Sequence, residues 1–359
     1  MKADALVYCE NEFGSVDGKV ANGLIRQSER YSIVGIIDSS KKGQDTGERL
    51  DGVSNGILIF ESIEHALEEL STIPEYFIYG IAPLASFLND EQKEIIFTAM
   101  KSGMNIVNGL PEFFNDNIHY TNMALKYGVT IQDVRKPPAR KNLHNFSGRI
   151  GEVKVPIITV MGTDCAVGKR TTALVLVEAL RNEGLNAVFV TTGQTGLLQG
   201  SKYGVAIDVL TSGFATGEVE NAILNAYEQE QPDIIVVEGQ GALSHPAFTS
   251  SSAIIRGAMP DAIIIQHPPK RKSYCDYPKI PLLDLVDEIE MIEVFSKSKV
   301  IAITINHENM TNVEVDNAIK RYESKYDLPV TDVLLHGCDK LVRELIKTFP
   351  ELKRESVLI

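Results

Sequence analysis

The stretch Val155-Pro-Ile-Ile-Thr-Val-Met-Gly162-Thr163-Asp164-Cys165-Ala166-Val167-Gly168-Lys169-Arg170-Thr171-Thr172 decides the fold. Residues 155–161 are apolar almost without a break, the mark of a parallel strand covered on both faces rather than one with a wet side. Gly162 and Gly168 then bracket a turn, and Lys169 opens a helix-length run, 169–183. A buried strand, a glycine-bounded turn and a helix start are the parts of a phosphate loop. The glycines let backbone N–H groups turn inward around an anion, the helix N-terminus adds partial positive charge, and the lysine adds a point charge. We therefore expect residues Gly162, Thr163, Asp164, Cys165, Ala166, Val167, Gly168, Lys169, Arg170, Thr171 and Thr172 to hold the phosphate of a nucleotide or coenzyme. Two features depart from the common pattern. Five residues, not four, separate the glycines, and Arg170 stands where Ser or Thr normally meets Mg²⁺. Thr171 is then the remaining metal candidate, and Arg170 a candidate for an additional phosphate.

Outward from the loop, short apolar runs at 187–191, 234–238, 262–266 and 300–305 alternate with helical stretches at 218–230, 250–256, 282–295, 314–326 and 339–348. Such alternation is that of βαβ units, so the class is α/β with mostly parallel sheets, and ligands are expected at the carboxyl ends of the strands. Glu238 closes one of these strands and would hold a metal-bound water with Thr171, or orient an amine. His245, in Glu238-Gly-Gln240-Gly-Ala-Leu-Ser-His245, titrates near neutrality and is a candidate general base. Gln194, Thr195 and Gln240 read as substrate-binding residues, and the Asn306 amide matches a donor and an acceptor on a nucleobase edge. Residues 266–281, with Pro268, Pro269, Pro278 and Pro281, form a loop long enough to be a lid, in which Lys270, Arg271 and Lys272 would steer phosphates or carboxylates.

The first part has strands at 4–9, 32–38, 76–81, 104–108 and 129–133 and helices at 19–28, 90–102 and 117–127, a Rossmann-like pattern. Its opening turn lacks Gly-x-Gly-x-x-Gly, which argues against a dinucleotide there, although Asp38 stands where a ribose-binding acid would. A polar, basic, Pro-paired segment at 135–152 marks the boundary, giving domains 1–145 and 146–359. Arg135 and Arg140 within it are carboxylate-clamp candidates.

The chain is 359 residues long, more than twice the roughly 150 residues of a typical domain, which leaves room for two cores. With 35 Lys and Arg against 48 Asp and Glu, the net charge of −13 repels polyanions and argues against nucleic acid. No apolar run approaches the roughly 18 residues of a membrane span, and the N-terminus does not read as an export signal, so we expect a cytoplasmic protein. Cys9, Cys165, Cys275 and Cys338 are too scattered for a zinc cage and read as reduced thiols. A homo-oligomer remains open.

The run Asn108-Gly-Leu-Pro-Glu-Phe, then Asp133-Val-Arg-Lys-Pro-Pro, then Gly162 to Thr172, then Glu238-Gly-Gln-Gly-Ala-Leu-Ser-His-Pro-Ala-Phe resembles the D-glutamate N-acetyltransferase family over nearly the whole chain. That family was formerly catalogued as a domain of unknown function, and its C-terminal half is similar to dethiobiotin synthetase. The synthetase loop Gly-Thr-Asp-x-x-Val-Gly-Lys-Thr matches this one apart from Arg170. The resemblance implies N-terminal Rossmann-like and C-terminal P-loop NTPase-like domains, with transfer of acetyl from acetyl-CoA to the amine of D-glutamate or a related small amino acid. On that reading Lys169, Glu238 and His245 are the catalytic candidates, with the loop and Arg170 cradling coenzyme phosphates. The competing readings are an ATP- and Mg²⁺-dependent ligase, carboxylase or kinase, in which Thr171 and Glu238 hold the metal, and a non-catalytic nucleotide sensor.

Overall fold

A computed structural model describes residues 2–82 and 87–353 and divides the chain into two compact units. The first comprises Met1–Pro137 and the outlying segment Gln194–Ser201. It is built from β1 (Ala3–Tyr8), α1 (Lys19–Arg26), β2 (Tyr31–Ile37), α2 (Thr46–Asp51), β3 (Ile59–Phe60), α3 (Ile63–Glu69), β4 (Tyr76–Tyr79), α4 (Asp90–Lys101), β5 (Asn105–Asn108), α5 (Ile118–Tyr127) and β6 (Ile131–Asp133). The strands are parallel in the order β3-β2-β1-β4-β5-β6, the doubly wound arrangement of a Rossmann-like domain. Two-residue β3 escapes a sequence reading because it carries no period, as do the short helices α2 and α3.

The second unit, Pro138–Gly193 with Lys202–Ile359, starts at β7 (Ile157–Gly162) and α6 (Lys169–Asn182), followed by β8 (Ala187–Thr191). The chain then gives α7 (Gln194–Gln199) to the first unit and returns with β9 (Tyr203–Gly204), α8 (Ser212–Glu230), β10 (Ile234–Glu238), α9 (Ser250–Ala258) and β11 (Ala262–His267). A hairpin of β12 (Ser273–Tyr274) and β13 (Tyr277–Pro281) precedes α10 (Leu285–Ser296), β14 (Lys299–Ile305), α11 (Asn312–Tyr326), β15 (Val330–Thr331), α12 (Val333–His336) and α13 (Asp339–Thr348). The sheet order is β15-β14-β11-β7-β10-β8-β9, and every pairing is parallel. All six residues of β7 are buried at the centre, and they divide by parity. Ile158 and Val160 pack toward α6 and α13, while Ile157 and Met161 join the clusters of the opposite face.

The division between units falls at Pro137/Pro138, within the basic segment singled out from sequence. Segment 194–201 is the departure: Gln199 Nε2 donates to Gly23 O and Gln27 O, both at 2.8 Å, and Leu198 is buried in the first unit's core. Helix α8 begins six residues before the expected 218, because Gly213 and Gly217 weaken the helical signal there. Gly217 is needed for close approach, since a Cβ at this position would lie 2.2 Å from His144 O. Helix α11 begins at Asn312 rather than 314 because Thr311 and Glu314 form a capping box. The stretch 266–281, expected as a loop, carries the β12–β13 hairpin.

Candidate active site

The carboxyl ends of β7, β8, β10, β11 and β14 present their loops along one edge of the second unit's sheet, where an open α/β sheet offers its ligand crevice. The β7–α6 loop is shaped for close backbone approach. Ala166 has φ 51° and Gly168 φ 101°, both left-handed, and a Cβ on Gly162 would come within 3.0 Å of Lys169 Cδ. A non-glycine residue held at positive φ is a strained conformation of the kind that collects at ligand-binding turns. Lys169 is buried, and its Nζ donates to Asp164 O at 2.6 Å. Burial lowers its pKa, against the opposing charges of Cys165, Asp164 and Glu238.

Several residues expected to touch a ligand instead hold this loop in shape. Thr163 Oγ1 lies 3.0 Å from His267 Nδ1, and the Thr172 hydroxyl donates to Gln266 Oε1 at 2.5 Å, both buried. The Asp164 carboxylate is fully buried and accepts from Cys165 N (2.7 Å), Cys275 N (2.8 Å) and Arg271 NH1 (2.7 Å). Asn306 donates from Nδ2 to Val167 O at 2.9 Å and accepts from Glu308 N at 2.9 Å, so its amide supports the loop rather than reading a nucleobase. Arg271 also corrects its expected role as a substrate clamp. It forks onto both oxygens of Glu308 and donates to Cys165 O at 2.7 Å, tying the hairpin segment to the loop. Lys270 pairs with Glu314 at 2.7 Å.

Other candidates are not brought to the loop. Arg140 is exposed with its guanidinium over the Phe214 ring, and it makes no hydrogen bond to the loop among the described residues. Gln194 and Thr195 are buried at the start of α7, in the segment that belongs to the first unit. In that first unit the Asp38 carboxylate accepts from Phe13 N, Ser40 N, Ser40 Oγ and Lys41 Nζ, which occupies it at home.

Glu238 is buried at the end of β10, and its Oε2 accepts from the Thr191 hydroxyl and from Thr192 N at 3.2 Å. Gln240 donates to Thr192 O at 2.5 Å, pinning the same β8 turn rather than reaching outward. Arg170 and Thr171 are half-buried in the first turn of α6, and no bond joins Thr171 to Glu238 among the described residues.

The His245 side chain is buried, stacked on Phe248 at 4.6 Å and edge-on to Tyr274 at 4.9 Å. Burial holds its pKa below the ordinary histidine range despite Asp164 and Asp276. Ala247 N donates to its Nδ1 at 3.2 Å, which places the neutral ring's proton on Nε2. Toward the loop His245 is therefore a hydrogen-bond donor, which corrects the expected general base. That Nε2 has no hydrogen-bond partner. Asp164, Cys165 and His245 bring their ligating atoms within 4.8 Å of one another. The set does not suit a cation, because Arg271 already neutralises Asp164 and the His245 nitrogen facing the set bears a proton. Below this turn Glu288, fully buried, accepts from Leu243 N at 2.7 Å, a support with no sequence motif. Cys275, read from sequence only as a reduced thiol, also belongs here; its Sγ donates to the Cys165 carbonyl oxygen at 3.8 Å, and with Lys169 it draws the Cys165 pKa below the usual thiol value against burial.

Comparisons with known proteins agree with this architecture. Residues 144–342 match a family model described as a domain of unknown function, DUF1611_C, P-loop domain, and residues 39–137 match the DUF1611_N Rossmann-like domain. The chain is 30% identical over 275 residues to a protein of a Pseudoalteromonas species named D-glutamate N-acetyltransferase, covering 75% of this chain and 80% of that one. It is 29% identical over 274 residues to a protein of the same name from Tritonibacter scottomollicae, with the same coverage. The crystal structure of a DUF1611 family protein from Anabaena variabilis superposes with TM-score 0.87 at 31% identity, covering 96% of this chain and all of that one.

Proposed function

The chain belongs to the DUF1611 family of joined Rossmann-like and P-loop domains, and on that premise we propose that it transfers an acetyl group from acetyl-CoA to the amine of D-glutamate. The observation that carries this reading is the pairing, at the ends of neighbouring strands β7 and β10, of an anion-receiving loop with a fixed acid. The chain bearing it is similar over 75% of its length to two proteins of that name.

The residues fit such substrates. The left-handed turns at Ala166 and Gly168 shape a loop whose amides receive an anion, either a phosphate of the coenzyme or a carboxylate of the amino acid. Acetyl-CoA, when bound, supplies an activated acyl carbon. Lys169 faces negative charge in the loop, and the His245 Nε2–H is an aimed donor for an oxyanion. Glu238, held by Thr191 and Thr192, orients the substrate ammonium and receives its proton. All four cysteines are free thiols and no described helix is long and apolar enough to cross a membrane, which supports a cytoplasmic site of action.

Purified protein incubated with D- or L-glutamate and either acetyl-CoA or Mg-ATP tests the reading. Release of free CoA thiol that depends on D-glutamate is expected. ADP formation without thiol release would replace the transferase with a ligase or kinase, in which Thr171 and Glu238 take the metal.

A further inference from the structure

We propose that Cys165 is the acetyl carrier of a two-step transfer, its sulfur taking the acetyl group from the CoA thioester and passing it to the amine. This rests on the acetyltransferase reading and goes beyond it by naming a covalent intermediate and its residue.

Three observations place a nucleophile at Cys165. First, its Sγ lies within 4.8 Å of a His245 ring nitrogen, and His245 Nε2 is a buried ring N–H with no hydrogen-bond partner, Asp164 Oδ1 standing off at 3.8 Å. A buried donor without a partner is costly, and the oxygen of an acyl group carried on Cys165 would reach it. The ring cannot turn away, being clamped by Phe248, Tyr274 and the Ala247 N–H. Second, Cys165 is half-buried in the loop, and the residue facing its sulfur is Gly241 at φ 58°. A Cβ there would sit 3.8 Å from Sγ, so the absence of a side chain keeps that approach open. Third, the Cys275 thiol donates to the Cys165 carbonyl oxygen at 3.8 Å, which brings both cysteines to the same turn, and Cys275 and the Lys169 ammonium draw the Cys165 pKa below the usual thiol value while burial, Asp164 and Asp276 oppose them. Thiolate, not thiol, is the attacking form.

The chemistry balances without a redox partner. The Cys165 thiolate attacks the thioester carbon, the new C–S bond forms, and the bond to CoA breaks with CoA leaving as its thiolate. The amine, its ammonium proton already taken by Glu238, then attacks the S-acetyl carbon, a C–N bond forms, and Cys165 departs as thiolate while the second amine proton passes to water. His245 Nε2–H and the loop amides face the carbonyl oxygen that becomes negative in each step. The pantetheine arm is far longer than the loop is wide, so a thioester at Cys165 puts the CoA diphosphate outside the loop. Lys169 and the loop amides then serve the acyl oxygen or a glutamate carboxylate.

The test uses the full-length protein with acetyl-CoA and no amine, acid-quenched and read by intact mass and peptide mapping. One acetyl on the peptide containing Cys165, removed by D-glutamate or hydroxylamine, is expected, with the Cys9 and Cys338 peptides unmodified. Wild-type protein should also exchange labelled CoA into acetyl-CoA without amine, a readout that needs no variant. Cys165→Ala should lose at least about a thousandfold in transfer rate. D-glutamate-dependent thiol release with neither acetyl-Cys165 nor CoA exchange would overturn the carrier and leave the acetyltransferase standing. No thiol release with any amine, and none from the enzyme alone, would overturn both.

Discussion

Arg271 NH1 donates to Asp164 Oδ2 at 2.7 Å, joining the segment that enters the hairpin to the phosphate loop through side chains that are 9% and 0% exposed. The same guanidinium is forked onto Glu308, so one cation holds two acids. Removing it would strand a buried carboxylate, and a broken buried pair typically costs about 3–5 kcal/mol. Arg271→Met should therefore lower unfolding free energy by about 3 kcal/mol in urea titrations, with loss of activity following the distorted loop. An Arg271 that served as a substrate clamp would instead raise KM and leave stability unchanged. Arg271→Lys should recover part of the stability, because it restores the charge without the fork.

Lys169 is the one loop cation whose buried ammonium faces Asp164, Cys165 and Glu238. Lys169→Ala should reduce kcat/KM at least about a hundredfold, the scale of losing one oriented charge-stabilising donor. Because burial already penalises the ammonium, the variant should unfold within about 1 kcal/mol of wild type. An unchanged rate would refute the loop as the site of chemistry.

The class and the loop were legible because β7 is apolar on both faces and a Gly-Lys pair opening a helix has few other uses. The division of labour inside the loop was not legible. Asp164, Thr172 and Asn306 look like ligand groups by type, yet their partners, Arg271, Gln266 and Val167 O, come from distant positions or from backbone. His245 was found by its place after Glu238, but its donor character depends on Ala247 N meeting Nδ1, a matter of local geometry. The placement of helix α7 was not legible for a related reason: Gln194 and Thr195 follow a sheet end of the second unit, while Gln199 and Leu198 pack the helix in the first.

Helix α8 offers a test of close packing. The ideal Cβ of Gly217 would stand 2.2 Å from His144 O and 2.4 Å from Asn145 C, backbone atoms that cannot swing aside. Gly217→Ala gains helix propensity, worth about 1 kcal/mol, but must displace the 144–146 strand of chain. A net loss of about 1–3 kcal/mol is expected from overpacking. Equal or greater stability in thermal melts would show that the segment yields freely.

His267 makes stability pH-dependent. It is buried beside Thr163, with Arg271 and Arg321 as further opposing charges, and its pKa is lowered to about 4 from 6.5 chiefly by burial. The folded state therefore binds the proton less readily than the unfolded chain. Stability from the neutral ring is fully present above pH 6.5 and is lost as pH falls from 6.5 toward 4. At about 1.4 kcal/mol per pH unit, urea unfolding at pH 5 should give a free energy about 2 kcal/mol below that at pH 7 from this group. His267→Gln removes the titration, so its stability should change less between those two values, even if it starts lower. An equal pH dependence in both proteins would assign the acid sensitivity to other groups.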